Sequence, residues 1–249
     1  ALDFKQLTKN RSSGNLSNTN TVIGELSNIF LEKGAKVEAA ILNTNDGYIY
    51  IGKDAEIMEG SLVRGSLALC ENATLKLATK IYGATTVGPH SKVGGEVNNS
   101  VIQGYSNKGH DGFLGNSVIG EWCNLGADTN NSNLKNNYGE VTSWNYEKND
   151  YIKTGLQFLG LIMGDHSKCG INTMFNTGTV VGVFANIFGG DFPPKHIPSF
   201  SWGGSNGFQT YQFDKAIDVA KSVMKRRAIE LSTQDSDILN YLFKEETNK

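Results

Sequence analysis

This sequence of 249 residues has few cysteines, few prolines and no excess of positive or negative charge. Each of these features excludes a class of protein. Three cysteines without a C-x-x-C spacing favour neither a disulfide framework nor a structural zinc site. The 23 Lys and Arg nearly balance the 25 Asp and Glu, so bulk charge does not drive binding to phosphate backbones or to a membrane surface. We therefore expect no nucleic-acid partner and no membrane partner.

Long apolar runs are missing as well. The strongly apolar stretch at residues 159–163 is far shorter than the ~20 residues that a bilayer span requires, and no signal-like segment opens the sequence. These features predict a soluble, cytoplasmic protein. Only 4 prolines stand against 29 glycines, which indicates many tight turns rather than a proline-rich linker.

A six-residue repeat dominates the middle of the sequence. An apolar residue recurs at every sixth position, and the residue four positions later is usually small. One large and one small inward residue in each six is typical of a parallel β-helix, in which every flat face is a short strand. The apolar series comprises Ile51, Ile57, Val63, Leu69, Leu75, Ile81, Val87, Val93, Met163, Cys169, Phe175, Val181 and Ile187, with Ile119 and Leu125 as a shorter middle piece.

The alternative all-β fold is an antiparallel sandwich, which predicts a period of two and hairpin dipeptides such as Asn-Gly, and neither dominates here. The corners of a β-helix need residues that tolerate a positive φ. Glycines and an asparagine recur where such corners would lie, so we expect a positive φ there. The set comprises Gly52, Gly60, Gly88, Gly94, Gly164, Asn172 and Gly182.

The repeat also defines the domain boundaries. It breaks over residues 98–117 and 134–154, which we expect to loop out and to carry binding groups. Residues 1–20 are polar and rich in Ser and Asn, which predicts a linker or lead-in. Residues 21–211 are predicted to form the β-helix. Apolar residues at helical spacing over 213–230, and a capping-box arrangement of Ser232 and Asp235, predict helices within residues 212–249.

The run SNKGHDGFLGNSVIGEWCNLGADTNNSNLKNN, residues 106–137, carries a family resemblance. It resembles the acetyltransferase half of bacterial bifunctional N-acetylglucosamine-1-phosphate uridylyltransferase/glucosamine-1-phosphate N-acetyltransferases. The segment GYIYIGKDAEIMEGS, residues 47–61, is similar to a divergent branch of that family, and the resemblance covers roughly residues 21–228. It implies a left-handed parallel β-helix of hexapeptide repeats with a C-terminal helical tail, assembled as a homotrimer with sites between neighbouring subunits.

Full-length members of that family place a nucleotidyltransferase domain before the β-helix. That domain opens with an L-x-x-G-x-G-T-x-M loop, and the motif does not occur in this sequence. The resemblance therefore implies one of two things: the sequence is a fragment that begins in the interdomain segment, or it is a stand-alone acyltransferase.

The resemblance also implies the acceptor site. His110 matches the family histidine that deprotonates the sugar amine, a task suited to a group that titrates near neutrality. Asn124 and Asn133 match the two asparagines that hold the sugar, with Asn133 near the reacting amine. Lys108 and Lys135 are candidates for binding the sugar phosphate. Simpler interpretations remain open, because histidines and lysines in loops are often only solvated and asparagine is common at β-helix corners.

Two residues depart from the family pattern. Phe113 replaces a tyrosine whose hydroxyl reaches the phosphate, and Asn98 replaces a lysine. These replacements put the phosphate contact, and so glucosamine-1-phosphate itself, in question.

Acetyl-CoA is the acyl donor that the resemblance implies. Gly170, Ile171 and Gly189 match the coil residues that lie along it, with backbone amides near the thioester. No metal is expected. A carbonic anhydrase on this fold would need three histidine ligands with two at H-x-x-x-x-H spacing, and the nearest pair, His90 and His110, is twenty residues apart.

The function predicted from these features is acetyl transfer from acetyl-CoA to an amino-sugar phosphate such as glucosamine-1-phosphate, in UDP-N-acetylglucosamine biosynthesis. One alternative is a non-catalytic β-helix that trimerises or regulates a sugar-1-phosphate nucleotidyltransferase. Another keeps the chemistry but takes a nucleotide-linked amino sugar as the acceptor.

Overall fold

The structure is a computed structural model that describes residues 2–248. The chain divides into two compact units, one ending at Ile119 and the other beginning at Gly120. None of the helices between residues 2 and 248 has the length and apolar character that a bilayer crossing needs.

The first unit begins with helix α1, Leu2–Thr8, and has a single 3-10 turn at Leu26–Asn28 among the residues described. Its strands are two or three residues long. In chain order they are β1 Thr21–Ile23, β2 Ile29–Leu31, β3 Lys36–Val37, β4 Ile41–Asn43, β5 Ile49–Ile51, β6 Glu56–Ile57, β7 Leu62–Arg64, β8 Leu67–Leu69, β9 Thr74–Leu75, β10 Lys80–Tyr82, β11 Thr85–Val87, β12 Lys92–Val93, β13 Glu96–Asn98, β14 Val101–Ile102, β15 Asn107–Lys108, β16 Phe113–Gly115 and β17 Val118–Ile119.

These strands form three parallel sheets, and every third strand along the chain belongs to the same sheet. The orders are β1-β4-β7-β10-β13-β16, β2-β5-β8-β11-β14-β17 and β3-β6-β9-β12-β15. Three flat faces wound in this way enclose a narrow prism, so the first unit is a parallel β-helix.

The interior of this prism is the apolar series of the six-residue repeat. Ile51, Ile57 and Val63 are each at most 2% exposed, and the small residues in the same frame, such as Ala55 and Ser61, are fully buried. Stacking in register brings equivalent residues together: Leu42, Val63 and Ile81 pair along one sheet. The inward positions predicted from the period of six are confirmed.

Two sequence-based expectations about the turns are wrong. Residues 98–117 do not loop out, because β14, β15 and β16 continue the three sheets. Val93 pairs with Leu75 on one side and with Lys108 on the other, so this coil is shorter than the one before it and the six-residue frame shifts without breaking the helix.

The corner glycines are the second correction. Gly60 and Asn172 have the expected positive φ, but Gly52 and Gly88 do not. The positive φ falls two residues later, at Asp54 and His90. Glycine is needed at Gly52 because a Cβ there would lie 2.7 Å from the carbonyl carbon of Cys70 in the next coil. The same close approach applies at the remaining glycines of the predicted set, Gly88, Gly94, Gly164 and Gly182.

The predicted linker or lead-in contacts the first coils. After α1, the amide of Gly14 donates to the carbonyl oxygen of Leu31 at 2.8 Å, and the Arg11 guanidinium pairs with the Glu32 carboxylate. Further along, the Thr19 hydroxyl donates to Glu38. Residues 9–20 therefore lie along the edge of the β-helix, and their assignment as an interdomain linker stays a prediction.

The second unit has the same architecture within itself, with an insertion and two helices. Its strands are β18 Asn124–Leu125, β19 Asn130–Asn131, β20 Thr142–Asn145, β21 Asp150–Lys153, β22 Leu161–Met163, β23 Lys168–Cys169, β24 Met174–Phe175, β25 Thr179–Val181, β26 Asn186–Ile187, β27 His196–Ile197, β28 Ser201–Gly204 and β29 Gly207–Thr210. The parallel orders within the unit are β22-β25-β27, β18-β23-β26-β28 and β19-β24.

Two antiparallel hairpins interrupt these coils. Strands β20 and β21 form the first, within the predicted insertion at residues 134–154, which confirms that this stretch leaves the coil. Strands β28 and β29 form the second and end the coiled region.

Helices α2, Phe213–Lys225, and α3, Thr233–Thr247, follow the coils. The hydroxyl of Ser232 accepts from the amide of Asp235 at 3.0 Å, as the capping-box pattern predicts. Helix α2 ends earlier than the predicted residue 230, because Ala228 has a φ of +54° and turns the chain back. Phe184 and Phe200 of the coils pack against the helices in one buried cluster. The predicted fold class, a left-handed parallel β-helix with a C-terminal helical tail, is confirmed.

Candidate active site

The loop at residues 109–112, between β15 and β16, carries His110 with its side chain exposed. Two glycines of the preceding coil lie directly under this loop. A Cβ at Gly94 would be 2.7 Å from the carbonyl oxygen of Gly109, and a Cβ at Gly95 would be 2.9 Å from that of His110. Real Cβ atoms do not approach so closely, so the glycines allow the His110 loop to lie against the coil.

Lys108 holds the same loop from the inside of the prism. It is only 2% exposed and occupies the inward register position filled by Val93 and Leu75 in the preceding coils. Its Nζ donates a hydrogen bond to the carbonyl oxygen of His110 at 2.7 Å. A buried ammonium is costly unless it is hydrogen-bonded. The lysine is thus placed to hold the loop, and its contact with a phosphate stays a prediction.

Phe113 and Asn98, the two departures from the family pattern, lie on neighbouring strands beside this loop. Phe113 pairs in register with Glu96, whose carboxylate accepts a hydrogen bond from the Tyr82 hydroxyl. Burial, and then the Glu96 carboxylate, raise the pKa of Tyr82 to about 12. The amide of Asn98 donates to the Tyr82 carbonyl at 3.2 Å. An acid therefore stands next to Phe113 on this sheet, which disfavours a phosphate there.

Asn124 and Asn133 both lie in the second unit and are half-buried. Asn124 on β18 pairs in register with Lys168. The backbone carbonyl of Asn133 accepts from the amide of Leu159 at 3.0 Å, beside an antiparallel bridge between Leu134 and Phe158. This bridge fixes the start of the insertion, and with it the backbone of Asn133.

Lys135 follows on the same loop, where its Nζ donates to the carbonyl oxygen of Glu140 at 3.1 Å. A second lysine, Lys195, reaches the first hairpin from the other side. Its Nζ donates to the carbonyl oxygen of Thr142 at 2.7 Å and to the Thr142 hydroxyl at 3.3 Å. Burial, and then the charge of Lys135, lower the pKa of Lys195. The sequence pattern does not indicate Lys195 as a site residue, since it lies within residues 21–211, which predict only the β-helix.

The residues matched to the acyl donor lie on successive coils of the second unit. The amide of Gly170 donates to the carbonyl oxygen of Ile187 on the neighbouring strand. A Cβ added at Gly170 would lie 3.6 Å from the Cβ of Phe188. Ile171 is 69% exposed, and Phe188 is also exposed. Gly189 has a φ of +102° and open space where a Cβ would be. These residues therefore form an exposed strip, which is apolar at Ile171 and Phe188 and carries no side chain at Gly170 and Gly189.

The other three histidines stack on aromatic rings. The His166 ring lies 4.5 Å from that of Phe184, and the His196 ring lies 4.0 Å from that of Trp144. His90 stacks on Tyr105 in the first unit. Between residues 2 and 248, no three His, Cys, Asp or Glu side chains are grouped as metal ligands. These contacts support structural roles for the three histidines.

The predicted site residues thus fall into three groups. Lys108 and His110 come together in the first unit. In the second unit, Asn133 and Lys135 share the loop that enters the first hairpin. Asn124 lies on the coil before Gly170, since Gly126, two residues on, packs against the Gly170 backbone.

No family model matches the chain. It is 32% identical over 146 residues to a bifunctional sugar-1-phosphate nucleotidylyltransferase/acetyltransferase of Sulfurisphaera tokodaii, covering 58% of this chain and 36% of that protein. It is 33% identical over 110 residues to the bifunctional protein GlmU of Methanocaldococcus jannaschii, covering 44% and 25%. An uncharacterized acetyltransferase of Escherichia coli, YaiX, is 25% identical over 171 residues, covering 68% and 74%.

The matched region therefore spans about a third or less of the length of the two bifunctional relatives. The resemblance inferred from residues 106–137 is confirmed at this level. The chain is a β-helix whose sequence is similar to the bifunctional sugar-1-phosphate nucleotidylyltransferase/acetyltransferases.

Proposed function

We propose that this protein is an acetyltransferase that moves an acetyl group from acetyl-CoA to the amine of an amino-sugar phosphate, with glucosamine-1-phosphate as the first acceptor to test. The observation that carries the proposal is the exposed His110 on a loop held by Gly94, Gly95 and the buried Lys108. The sequence similarity to acetyltransferases supports the same reaction.

The chemistry assigned to His110 is that of a general base. The neutral imidazole takes a proton from the acceptor amine as the nitrogen attacks the thioester carbonyl carbon. The C–N bond forms, the C–S bond breaks, and the departing CoA thiolate takes a proton. The products are the N-acetylated sugar phosphate and free CoA. Asn124 and Asn133 are proposed to hold the sugar, with Asn133 near the amine.

The acyl donor is proposed to lie along the strip formed by Gly170, Ile171 and Gly189. Exposed apolar side chains there, including Phe188, suit the aliphatic part of the pantetheine arm. Backbone amides near the thioester would stabilise the developing oxyanion. The resemblance further implies a homotrimer. Light scattering that shows a monomer of 27.0 kDa with full acetyl transfer would contradict that assembly.

A thiol-release assay tests the reaction. Acetyl-CoA is supplied with glucosamine-1-phosphate, galactosamine-1-phosphate, UDP-glucosamine or glucosamine, and CoA release is followed. We expect release with at least one sugar phosphate. His110→Ala should lower kcat by ~10²–10⁴, the usual contribution of a positioned base, with little change in acetyl-CoA affinity. His90→Ala, which removes a stacked ring instead, is the matched control.

The outcomes separate the three functions. An active parent whose rate is unchanged in His110→Ala would contradict the base assignment. Release only with UDP-glucosamine would favour the nucleotide-linked acceptor. A folded parent that releases no CoA with any acceptor would contradict the proposal and favour the non-catalytic β-helix.

A further inference from the structure

The first hairpin is fastened to the coils by Lys195. This residue immediately precedes β27, and its backbone carbonyl accepts from the amide of Val180 at 2.7 Å, which anchors the main chain to the coil. Its side chain extends to the hairpin, where Nζ donates to both oxygens of Thr142. The stacking of Trp144 on His196, with ring centroids 4.0 Å apart, fixes the neighbouring residue as well. The ammonium of Lys195 is therefore held in a defined position.

Lys135 brings a second positive charge to the same place. Its Nζ donates to the carbonyl oxygen of Glu140, two residues before the Thr142 that Lys195 binds, so both ammonium groups lie at the start of the hairpin. Burial, and then the charge of Lys135, lower the pKa of Lys195. Neither lysine forms an ion pair with a carboxylate among the residues that the structure describes. An ammonium has three N–H donors. Lys135 uses one on the Glu140 carbonyl, and Lys195 directs its bonds at Thr142, so both retain hydrogen-bonding capacity for an anion.

This pair is connected to the proposed acceptor asparagine through the backbone. The carbonyl of Asn133 accepts from Leu159, and the carbonyl of Leu159 accepts from the amide of Gly178 at 3.0 Å. Gly178 lies against the hairpin, since a Cβ there would be 2.6 Å from the Thr142 carbonyl oxygen that Lys195 binds. A short, continuous path of contacts thus joins Asn133 to Lys195 within the second unit.

A phosphate is the anion that fits this arrangement. It carries about 1.5 to 2 negative charges at neutral pH and has several acceptor oxygens, which match two ammonium groups with remaining N–H donors. Phe113 lacks the tyrosine hydroxyl that the family uses for the phosphate, and its register partner on the neighbouring strand is Glu96, a carboxylate. The lysine pair supplies cations that this position does not.

We infer that Lys195, together with Lys135, binds the phosphate group of the amino-sugar phosphate and so selects phosphorylated over unphosphorylated acceptors. This inference rests on the proposed function and adds to it a specificity-determining residue. Lys195 acts on binding and takes no part in the proton transfer assigned to His110.

Equilibrium binding tests the inference without the reaction. Calorimetric titrations of the full chain with glucosamine-1-phosphate and with glucosamine should show tighter binding of the phosphorylated sugar. Lys195→Met should weaken glucosamine-1-phosphate binding by about 10- to 100-fold, the range for a lost hydrogen bond to a charged group, and leave glucosamine binding unchanged. Lys195→Arg should recover part of the affinity. Lys221→Met, at an exposed position of α2, removes the same charge elsewhere and should have no effect.

A second variant guards against misfolding of the hairpin. Lys135→Met removes an ammonium whose hydrogen bond is to the carbonyl oxygen of the exposed Glu140, and it should likewise lower the affinity for glucosamine-1-phosphate. Parental affinity in both Lys195→Met and Lys135→Met would overturn the inference. So would equal losses for glucosamine and glucosamine-1-phosphate, because the lysine would then be structural only.

The two proposals fail separately. Lysine-dependent binding of glucosamine-1-phosphate in a protein that releases no CoA would support the phosphate site and contradict the acetyltransferase. CoA release with a KM for glucosamine-1-phosphate that is unchanged in Lys195→Met would support the acetyltransferase and contradict the phosphate site. If both hold, Lys195→Met should raise KM for the phosphorylated acceptor far more than it lowers kcat, as expected for a contact equal in ground and transition states.

Discussion

The Nζ of Lys108, inside the prism, donates a hydrogen bond to the carbonyl oxygen of His110, whose side chain lies outside. The two residues are separated by one glycine and point to opposite faces of the coil. A charged group that replaces an apolar residue of the core therefore fixes the backbone of the proposed base. A buried charge is generally destabilising, so the benefit of a lysine at position 108 is that it orients the His110 loop.

Lys108→Met tests this coupling. The thioether fills the inward position without a donor, so the carbonyl of His110 loses its partner and the loop gains freedom. We expect kcat for acetyl transfer to fall by up to about 10²-fold, the scale of a misplacement near 1 Å, while the coils stay folded. Hydrogen exchange of the amides at residues 109–112 should become faster. Lys92→Met, on the exposed face of the adjacent coil, is the control. Unchanged exchange and kinetics in Lys108→Met would remove the positioning role.

Gly95→Ala tests the other support of the loop. Gly95 has a φ of +72°, and a Cβ there would lie 2.8 Å from the Gly112 carbonyl oxygen. Gly60 has a similar φ of +75°, but its nearest contact would be 3.7 Å away. Both alanine variants carry the cost of the left-handed conformation, about 1–2 kcal/mol. Gly95→Ala should lose additional stability and acetyl-transfer rate.

Urea unfolding and the thiol-release assay on the two glycine variants measure this difference. Equal free energies of unfolding and equal rates for Gly95→Ala and Gly60→Ala would show that the contact with the His110 loop has no effect.

The inward residues of the β-helix were predictable from the sequence, because a fixed period of six assigns the inward positions without any information on three-dimensional contacts. Lys108 was not, since a lysine at an inward position contradicts the apolar pattern, and only the register with Val93 reveals it. The roles of the glycines were also hidden. Whether Gly52 is required for its φ or for the approach of the next coil depends on the distance between coils, which the sequence does not contain.

The candidate site was predictable only in part. The motif around His110 located the loop, but Lys195 lies 60 residues after Lys135 in the sequence. The two side chains come to the same hairpin only because each binds one of its carbonyl oxygens. The prolines of the PPKHIP segment, residues 193–198, predict only that the coils end there. Nothing in its spacing indicates that its lysine reaches Thr142.

Val63→Asp tests the inward frame itself. Val63 is 2% exposed in the middle of β7, whereas its neighbour Leu62 is 45% exposed on the outer face. An unpaired carboxylate inside the prism should cost several kcal/mol and unfold the coils or shift the pKa of the new acid strongly upward. Leu62→Asp, one residue away, should be nearly neutral. Similar melting temperatures for the two variants would contradict the period-two exposure of this strand.

His166 should make the stability of the second unit depend on pH. The residue is 8% exposed and its ring stacks on Phe184. Burial, followed by the charge of Lys168, lowers the pKa of His166 to about 4, with Asp235 acting in the opposite direction. In the unfolded chain the pKa is near 6.5. Between these values the unfolded state binds more protons, so stability is full above pH 6.5 and falls as the pH is lowered towards 4.

The loss of stability attributable to His166 is about 1.4 kcal/mol per pH unit, or roughly 2 kcal/mol between pH 7.5 and pH 5. His166→Phe keeps an aromatic ring against Phe184 and removes the titration. The difference in unfolding free energy between this variant and the parent, measured by urea denaturation at both pH values, isolates the histidine from other titrating groups. We expect His166→Phe to lose less stability than the parent on acidification. If the two proteins lose the same amount, then His166 protonates equally in the folded and unfolded states, and its stacking leaves it accessible to protons.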